Sequence, residues 1–183
     1  MTGQAIAMLA TADRAPEDVS ARLGVLFDTH HQRLYRLARR LSRSSEDARD
    51  AVQETFLRAA RAPTSVPDGR PNEEAWLVRV LINICRDRWR RVAVQRNSAH
   101  LRHIGAAAPP ADPEPAIIAR RLVEQALALL PPRRRAILVM YELEGMPIPA
   151  IAQMLGVTAV TVRWHLSIGR REMAKAVESG GAP

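Results

Sequence analysis

The chain has one cysteine, one lysine, few aromatic rings and no long apolar run, and each shortage excludes something. Cys85 stands alone, so no disulfide can form within the chain, and a reducing compartment suits it. No uninterrupted apolar run approaches the roughly 20 residues that a membrane span requires, so no membrane insertion is expected. The opening MTGQAIAMLATADRAPEDVS lacks an early basic segment and makes a poor secretory signal. A cytoplasmic protein with a loose N-terminal tail is therefore expected. Strand-like alternation is missing from every long stretch, which leaves helices. No glycine-rich phosphate loop and no nucleophile–base set is present. His30 and His31 are adjacent and point apart on a helix. His100 and His103 could share a face, but Cys85 is the only thiol, which is thin support for a metal. No enzyme, cofactor or small-molecule substrate is expected.

What the chain does have is arginine. Of its 27 basic residues only Lys175 is lysine, and the formal charge is +8 with a pI of about 11.1. Such a balance favours polyanions, nucleic acid before anionic membrane. Arginine adds bidentate contacts to phosphate and guanine, although codon usage in a GC-rich genome produces the same bias. Apolar residues make up 47% of the chain, enough for packed cores.

The most visible break is GAAAPPADPEPA, Gly105 to Ala116, a semi-rigid linker composition. The expected fold class is all-α: two small helical domains joined by a Pro/Ala-rich linker, the second containing a helix-turn-helix. The divisions are a flexible tail over 1–20, a first domain over 21–96, a linker over 97–116 and a second domain over 117–178. In the first domain, Leu26, Leu34, Leu37 and Leu41 mark one helix. SRSSEDARD marks the start of another, with Ser45 as N-cap and Glu46 and Asp47 in the first turn. Ala62 to Pro71 reads as a loop, and a long helix follows from about Glu73 to Arg91. In the second domain, Ile118, Leu122, Ala126 and Leu129 share the face of a helix stopped at Pro131-Pro132. Arg133 to Leu143 follows, ending near Gly145. Ala150 to Leu155 and Thr158 to Val177 are joined by Gly156-Val157, a helix-turn-helix pattern.

Three surfaces stand out. On the last helix Val162, Leu166, Gly169 and Met173 would face a core, leaving Val160, Arg163, Trp164, Ser167 and Arg171 outside. Arg163 and Arg171 could reach guanine or phosphate, while Val160 and Trp164 could press on thymine methyl groups. The competing reading packs Trp164 into a protein interface. On the long helix, Arg79, Asn83, Arg86 and Arg90 form one stripe suited to single-stranded DNA, or else a solvated arginine face. Leu77, Val80, Leu81 and Ile84 line its core side, and Val78, Ile82, Cys85 and Trp89 a second apolar strip, so this helix is wedged between neighbours. In DARDAVQETFLRAAR, Ala48, Val52, Phe56 and Ala59 face inward, while Asp47, Asp50, Glu54 and Leu57 lie outside. An acidic strip with a leucine is no DNA surface and suggests a basic protein partner; ordinary charge mixing is the plainer alternative.

These stretches carry a family resemblance. DARDAVQETFLRAAR resembles the polymerase-binding helix of bacterial RNA polymerase sigma factors, and EEAWLVRVLINICRDRWRR the promoter-melting helix that follows it. LPPRRRAILVMYELEGMPIPAIAQMLGVTAVTVRWHLSIGRREM resembles the fourth region, and the short linker matches the extracytoplasmic-function subfamily. The resemblance covers roughly Ala21 to Val177. It implies a promoter-specificity subunit that binds core RNA polymerase and promoter DNA, duplex at the −35 element and partly single-stranded at the −10 element. Asp47, Asp50, Gln53, Glu54 and Leu57 would bind the polymerase clamp. Ser65, Asp68 and Arg70 of a base-capturing loop, Thr64 to Arg70, would join Arg79, Asn83, Arg86 and Arg90 on the −10 element. Thr158, Val160, Arg163, Trp164, Ser167, Arg170 and Arg171 would face the −35 element. Many relatives have an anti-sigma protein, and two separable blocks give one a groove to occupy. Trp164, His165 and Ile168 depart from the family's usual small polar or basic residues, so the −35 sequence cannot be borrowed. A stand-alone helix-turn-helix regulator would explain the second block alone and leave the acidic strip and basic stripe unexplained.

Overall fold

The computed structural model describes residues 16–98 and 115–180, with side chains over 19–92 and 122–179; the linker segment between them, with His100 and His103, lies outside the described residues. Among the described residues there are helices and turns and no strand. Helix α1 spans Pro16–Leu41, α2 Ser45–Arg61, α3 Arg70–Ser98, α4 Pro115–Leu129, α5 Pro132–Leu138, α6 Ile148–Leu155 and α7 Ala159–Gly180. The last turns of α5 widen into a π segment, Val139–Leu143, where Glu144 N–H reaches back to Val139 O.

Each helix forms for a legible reason. In α1, Leu26, His30, Leu34, Leu37, Ala38 and Leu41 are buried at helical spacing. At the head of α2 the cap is Ser44 rather than the expected Ser45: its hydroxyl accepts Asp47 N–H at 3.0 Å. Ser45 is then the first helical residue, and the acidic pair Glu46 and Asp47 does sit in the first turn. Helix α3 starts at Arg70, earlier than its apolar pattern suggests, because Pro71 suits a first turn and Gly69, at φ +92°, makes the sharp approach. Helix α6 ends on left-handed Gly156, whose N–H and that of Val157 return to Gln153 O and Ala152 O. Thr158 caps α7 by accepting Thr161 N–H at 3.1 Å.

Two core positions differ from the sequence pattern. Leu129 points out and Leu130 is buried, since α4 ends at Leu129 and the chain turns inward toward Pro132. Thr55, bonded to Ala51 O, takes the inward place in α2, and Phe56 moves to the rim.

Helix α3 is wedged as its double apolar strip requires. It packs on α1 and α2 on one side and on α5 and α6 on the other, so one core runs through the molecule. Arg135 of α5 crosses the same seam. It is 2% exposed, and its guanidinium donates to Leu41 O (2.8 Å), Ala128 O (2.7 Å) and Leu130 O (3.0 Å). Burial, with Arg43 nearby, pulls its pKa down to about 10, which still leaves it charged at neutral pH. Replacing Arg135 with methionine leaves three inward carbonyls without a donor. We expect a stability loss of about 3 kcal/mol in urea unfolding; an unchanged midpoint would show that water takes over those carbonyls.

Candidate nucleic-acid and polymerase interfaces

The acidic strip is a real surface. Asp47, Asp50, Gln53 and Leu57 are exposed, and Glu54 is half-buried between Arg58 (3.0 Å) and Arg61 (3.9 Å). Helix α2 presents them because Ala48, Ala51, Val52, Thr55 and Ala59 are committed to the core. Beside the strip runs an open apolar groove of about 530 Å³, lined among others by Leu23, Phe27, His31, Phe56 and Leu57. The rings of Phe27 and Phe56 lie 4.9 Å apart, and Phe27 stacks on His31 at 4.5 Å. Sequence reading missed this half of the face, although the chain's only two phenylalanines both lie on it. His30 and His31 do point apart: His30 is buried against Glu73 at 3.5 Å, His31 sits in the aromatic cluster.

The basic stripe is divided. Asn83 and Arg90 are exposed, and Arg86 is half-buried beside Asp87. Arg79 is turned against the helix-turn-helix: it donates to Met154 O at 3.3 Å and lies 3.8 Å from where a side chain on Gly156 would begin. Arg79 shares a cleft of about 400 Å³ with Pro67 of the preceding turn, Pro71 at the start of α3, and Ala150 and Gln153 of α6. On the turn itself Ser65 and Arg70 are exposed, while Val66 plugs the core. Asp68 is exposed but bound by Arg22 at 2.8 Å. Arg33 adds a second tie between the two halves, pairing with Glu74 and, at 3.5 Å, with Glu144.

On α7, Val162 and Leu166 are buried and Met173 packs on the core, as the periodicity requires. Gly169 allows a close approach there: a Cβ would stand 2.6 Å from Leu138 Cδ1, so that side chain would have to shift. The opposite face carries exposed Thr158, Val160, Arg163, Trp164, Ser167, Arg170 and Arg171. These seven are not equivalent. Arg170 is bound to Glu142 at 2.7 Å and lies over Tyr141, and the bond to Glu142 raises its pKa. Among the described residues Arg163 and Arg171 have no ion-pair partner. Trp164 is 53% exposed, with Arg134 over its ring at 5.7 Å. Arg134 is itself held by Glu172. His165, partly buried beside Arg134 and Arg133, has its pKa lowered, chiefly by burial, and so favours its neutral form.

Among the described residues no helix is long and apolar enough to cross a membrane, and no group of three or more His, Cys, Asp or Glu side chains could hold a metal ion. Burial pushes the Cys85 thiol up to about 11, so it is no thiolate nucleophile at neutral pH.

Comparison with known proteins places matches on both halves. The family descriptions "Sigma-70 region 2" and "Sigma-70, region 4" match residues 26–94 and 120–173. The chain is 37% identical over 150 residues to the extracytoplasmic-function (ECF) RNA polymerase sigma factor SigM of Mycobacterium tuberculosis, covering 82% of this chain and 74% of the relative. CnrH, solved in complex with the cytosolic domain of CnrY, superposes with a TM-score of 0.58 at 25% identity, over 94% of each chain. RpoE of Bartonella quintana, solved with the anti-sigma factor NepR, gives 0.58 at 19% identity, over 88% of this chain and 98% of that one, and so shares the fold.

The exposure of Trp164 separates two roles for it. Trp164→Ala should leave the melting temperature within about 2 °C of wild type, since surface changes seldom exceed 0.5 kcal/mol. Val162→Ala, at a fully buried site, should cost about 2 kcal/mol. Equal losses in the two thermal melts would put Trp164 in the fold's own support.

Proposed function

We propose, from the premise that this chain belongs to the extracytoplasmic-function branch of the sigma-70 family, that three exposed faces divide the work of starting transcription. The chain is the promoter-recognising sigma subunit of RNA polymerase, a binding subunit whose chemistry is done by the polymerase it directs. Its work is cytoplasmic, where that polymerase acts.

Asp47, Asp50, Gln53, Glu54 and Leu57 meet the clamp of core polymerase, with the Phe27–Phe56 groove supplying apolar area beside the charges. The turn bearing Ser65, Asp68 and Arg70 captures a −10 base, and Arg79, Asn83, Arg86 and Arg90 follow the opened strand. Thr158, Val160, Arg163, Trp164, Ser167, Arg170 and Arg171 face the −35 duplex, where the unpaired Arg163 and Arg171 are the readers and Arg170 is held back by Glu142. The division into a region-2 unit, a linker and a region-4 unit follows the same reading. Since Arg79 is engaged by α6, DNA reaches it only after α6 withdraws. An anti-sigma protein fits this reading as a partner that holds the closed arrangement.

The observation that carries the reading is the acidic, leucine-bearing face of α2 beside an apolar groove, in a chain of net charge +8. DNA would repel that face, so it needs a protein. Reversing Asp50 and Glu54 to arginine should weaken binding to core polymerase by more than about 1 kcal/mol. The melting temperature should hardly move, because the Glu54–Arg58 pair lies at the surface, with Arg58 exposed and Glu54 half-buried, where such pairs contribute little. Unaltered affinity in a titration of labelled protein with core enzyme would remove the strip from the interface.

A further inference from the structure

The turn between α2 and α3 has almost no regular structure of its own. One 3-10 turn, Pro63–Ser65, is followed by Val66, buried at 5%, and by Gly69 in a left-handed conformation. A segment that captures a base must keep its shape while the base is unstacked, since any ordering left to the moment of capture is subtracted from recognition. Pro63 and Pro67 lie in that segment, and proline lacks the N–H that a hydrogen-bond ladder needs.

The order is supplied from far away in sequence. Arg22 of α1 reaches across and donates to Pro63 O at 3.2 Å, to Val66 O at 3.0 Å and to the Asp68 carboxylate at 2.8 Å, with Pro67 O 3.5 Å away. Its side chain is 21% exposed, so these bonds are partly shielded from water. From the other side Asn72 Nδ2 donates to Asp68 O at 3.1 Å. The Pro63, Val66 and Pro67 carbonyls therefore face α1, that of Asp68 faces α3, and the side chains of Ser65 and Asp68 are left at the surface.

We propose that Arg22 is a positioning residue for −10 recognition: one guanidinium fixes the capturing turn from behind without touching DNA. This rests on the reading of the turn as the base-capturing segment. A planar fork is needed, because a lysine ammonium could not span carbonyls on both sides of Val66 together with a carboxylate. Asp68 is then shared, its charge satisfied by Arg22 while it remains at the rim of the site. The helical residues around Arg22 already carry the fold, so the substitution falls on the turn.

The test uses holoenzyme assembled with wild type, Arg22→Ala, Arg22→Lys or Ser65→Ala, and DNA selected by the wild-type holoenzyme from a random pool, then re-randomised at the −10 element alone. A base contact gives roughly 5–150-fold discrimination. With Arg22→Ala that discrimination should fall at least fivefold at one −10 position, with −35 preference and core affinity unchanged. Arg22→Lys should recover less than half of the loss. Normal −10 discrimination in Arg22→Ala, with Ser65→Ala altered, would overturn the role of Arg22 and leave the turn's role standing. Normal discrimination in both would remove the turn itself from base capture. If Arg22→Ala weakened −10 preference, −35 preference and core affinity in equal proportion, Arg22 would be a general support of the fold and the proposal would fail. Full recovery by Arg22→Lys would show that charge alone suffices, which also overturns the fork.

Discussion

A buried guanidinium holds the two halves of the molecule to each other. Arg135 closes the C-terminal carbonyls of α1 and of α4 at once, where helix dipoles favour a positive charge. Removing a charge from water is costly, and Arg135 is stable there because it is saturated by carbonyls. Around that point α3 is gripped on both sides, and the side that meets α6 carries Arg79 with it. The packing that stabilises the free chain thus covers Arg79, part of the stripe proposed to follow DNA. On the proposed reading, polymerase and promoter would have to supply more binding energy than this seam contributes before the stripe could be used along its whole length.

Much of this was legible in the sequence. The wedged position of α3 follows from two apolar strips on one helix, and Val78, Ile82 and Cys85 are indeed buried along with Leu77, Leu81 and Ile84. The helix-turn-helix follows from Gly156 and the spacing of Val162 and Leu166. The exposed faces of α2 and α7 are the complements of those core stripes, so they too could be read. What could not be read depends on side chains that act across long sequence separations. Arg22 and Arg135 look like any other arginine in an arginine-rich chain, yet one orders a turn more than 40 residues away and the other ends a helix 94 residues away. Nor does periodicity foresee that Arg79 and Arg90, on one stripe, meet different surroundings. Local choices slipped by one residue where two candidates were adjacent: Ser44 for Ser45, Leu130 for Leu129, Thr55 for Phe56. At Ser44 and Leu130 the chain's path into or out of a helix decided, and inside α2 the tertiary packing turned Thr55 inward, where its hydroxyl is satisfied by Ala51 O.

The three faces differ in how their charges are prepared. On α2 Asp47 and Asp50 are open to solvent and Glu54 is paired with Arg58, beside an apolar groove, an arrangement that combines steering with area to bury. On α7 most preparation is restraint: Glu142 and Tyr141 hold Arg170, Glu172 holds Arg134, and Arg134 lies over Trp164. Arg163 and Arg171 are exposed and, among the described residues, have no ion-pair partner to give up. Fixing some arginines while leaving others open narrows which of them can report sequence, a form of discrimination that net charge alone cannot provide.

This chain directs core polymerase to start transcription at particular sequences. Run-off transcription from a sheared genomic library, with purified core enzyme and this protein alone, tests it in one measurement when the start sites are mapped. Discrete starts should appear only when the protein is added, and they should share two upstream sequence blocks at a constant separation. Starts that are unchanged by the protein, or that share no upstream sequence, would contradict it.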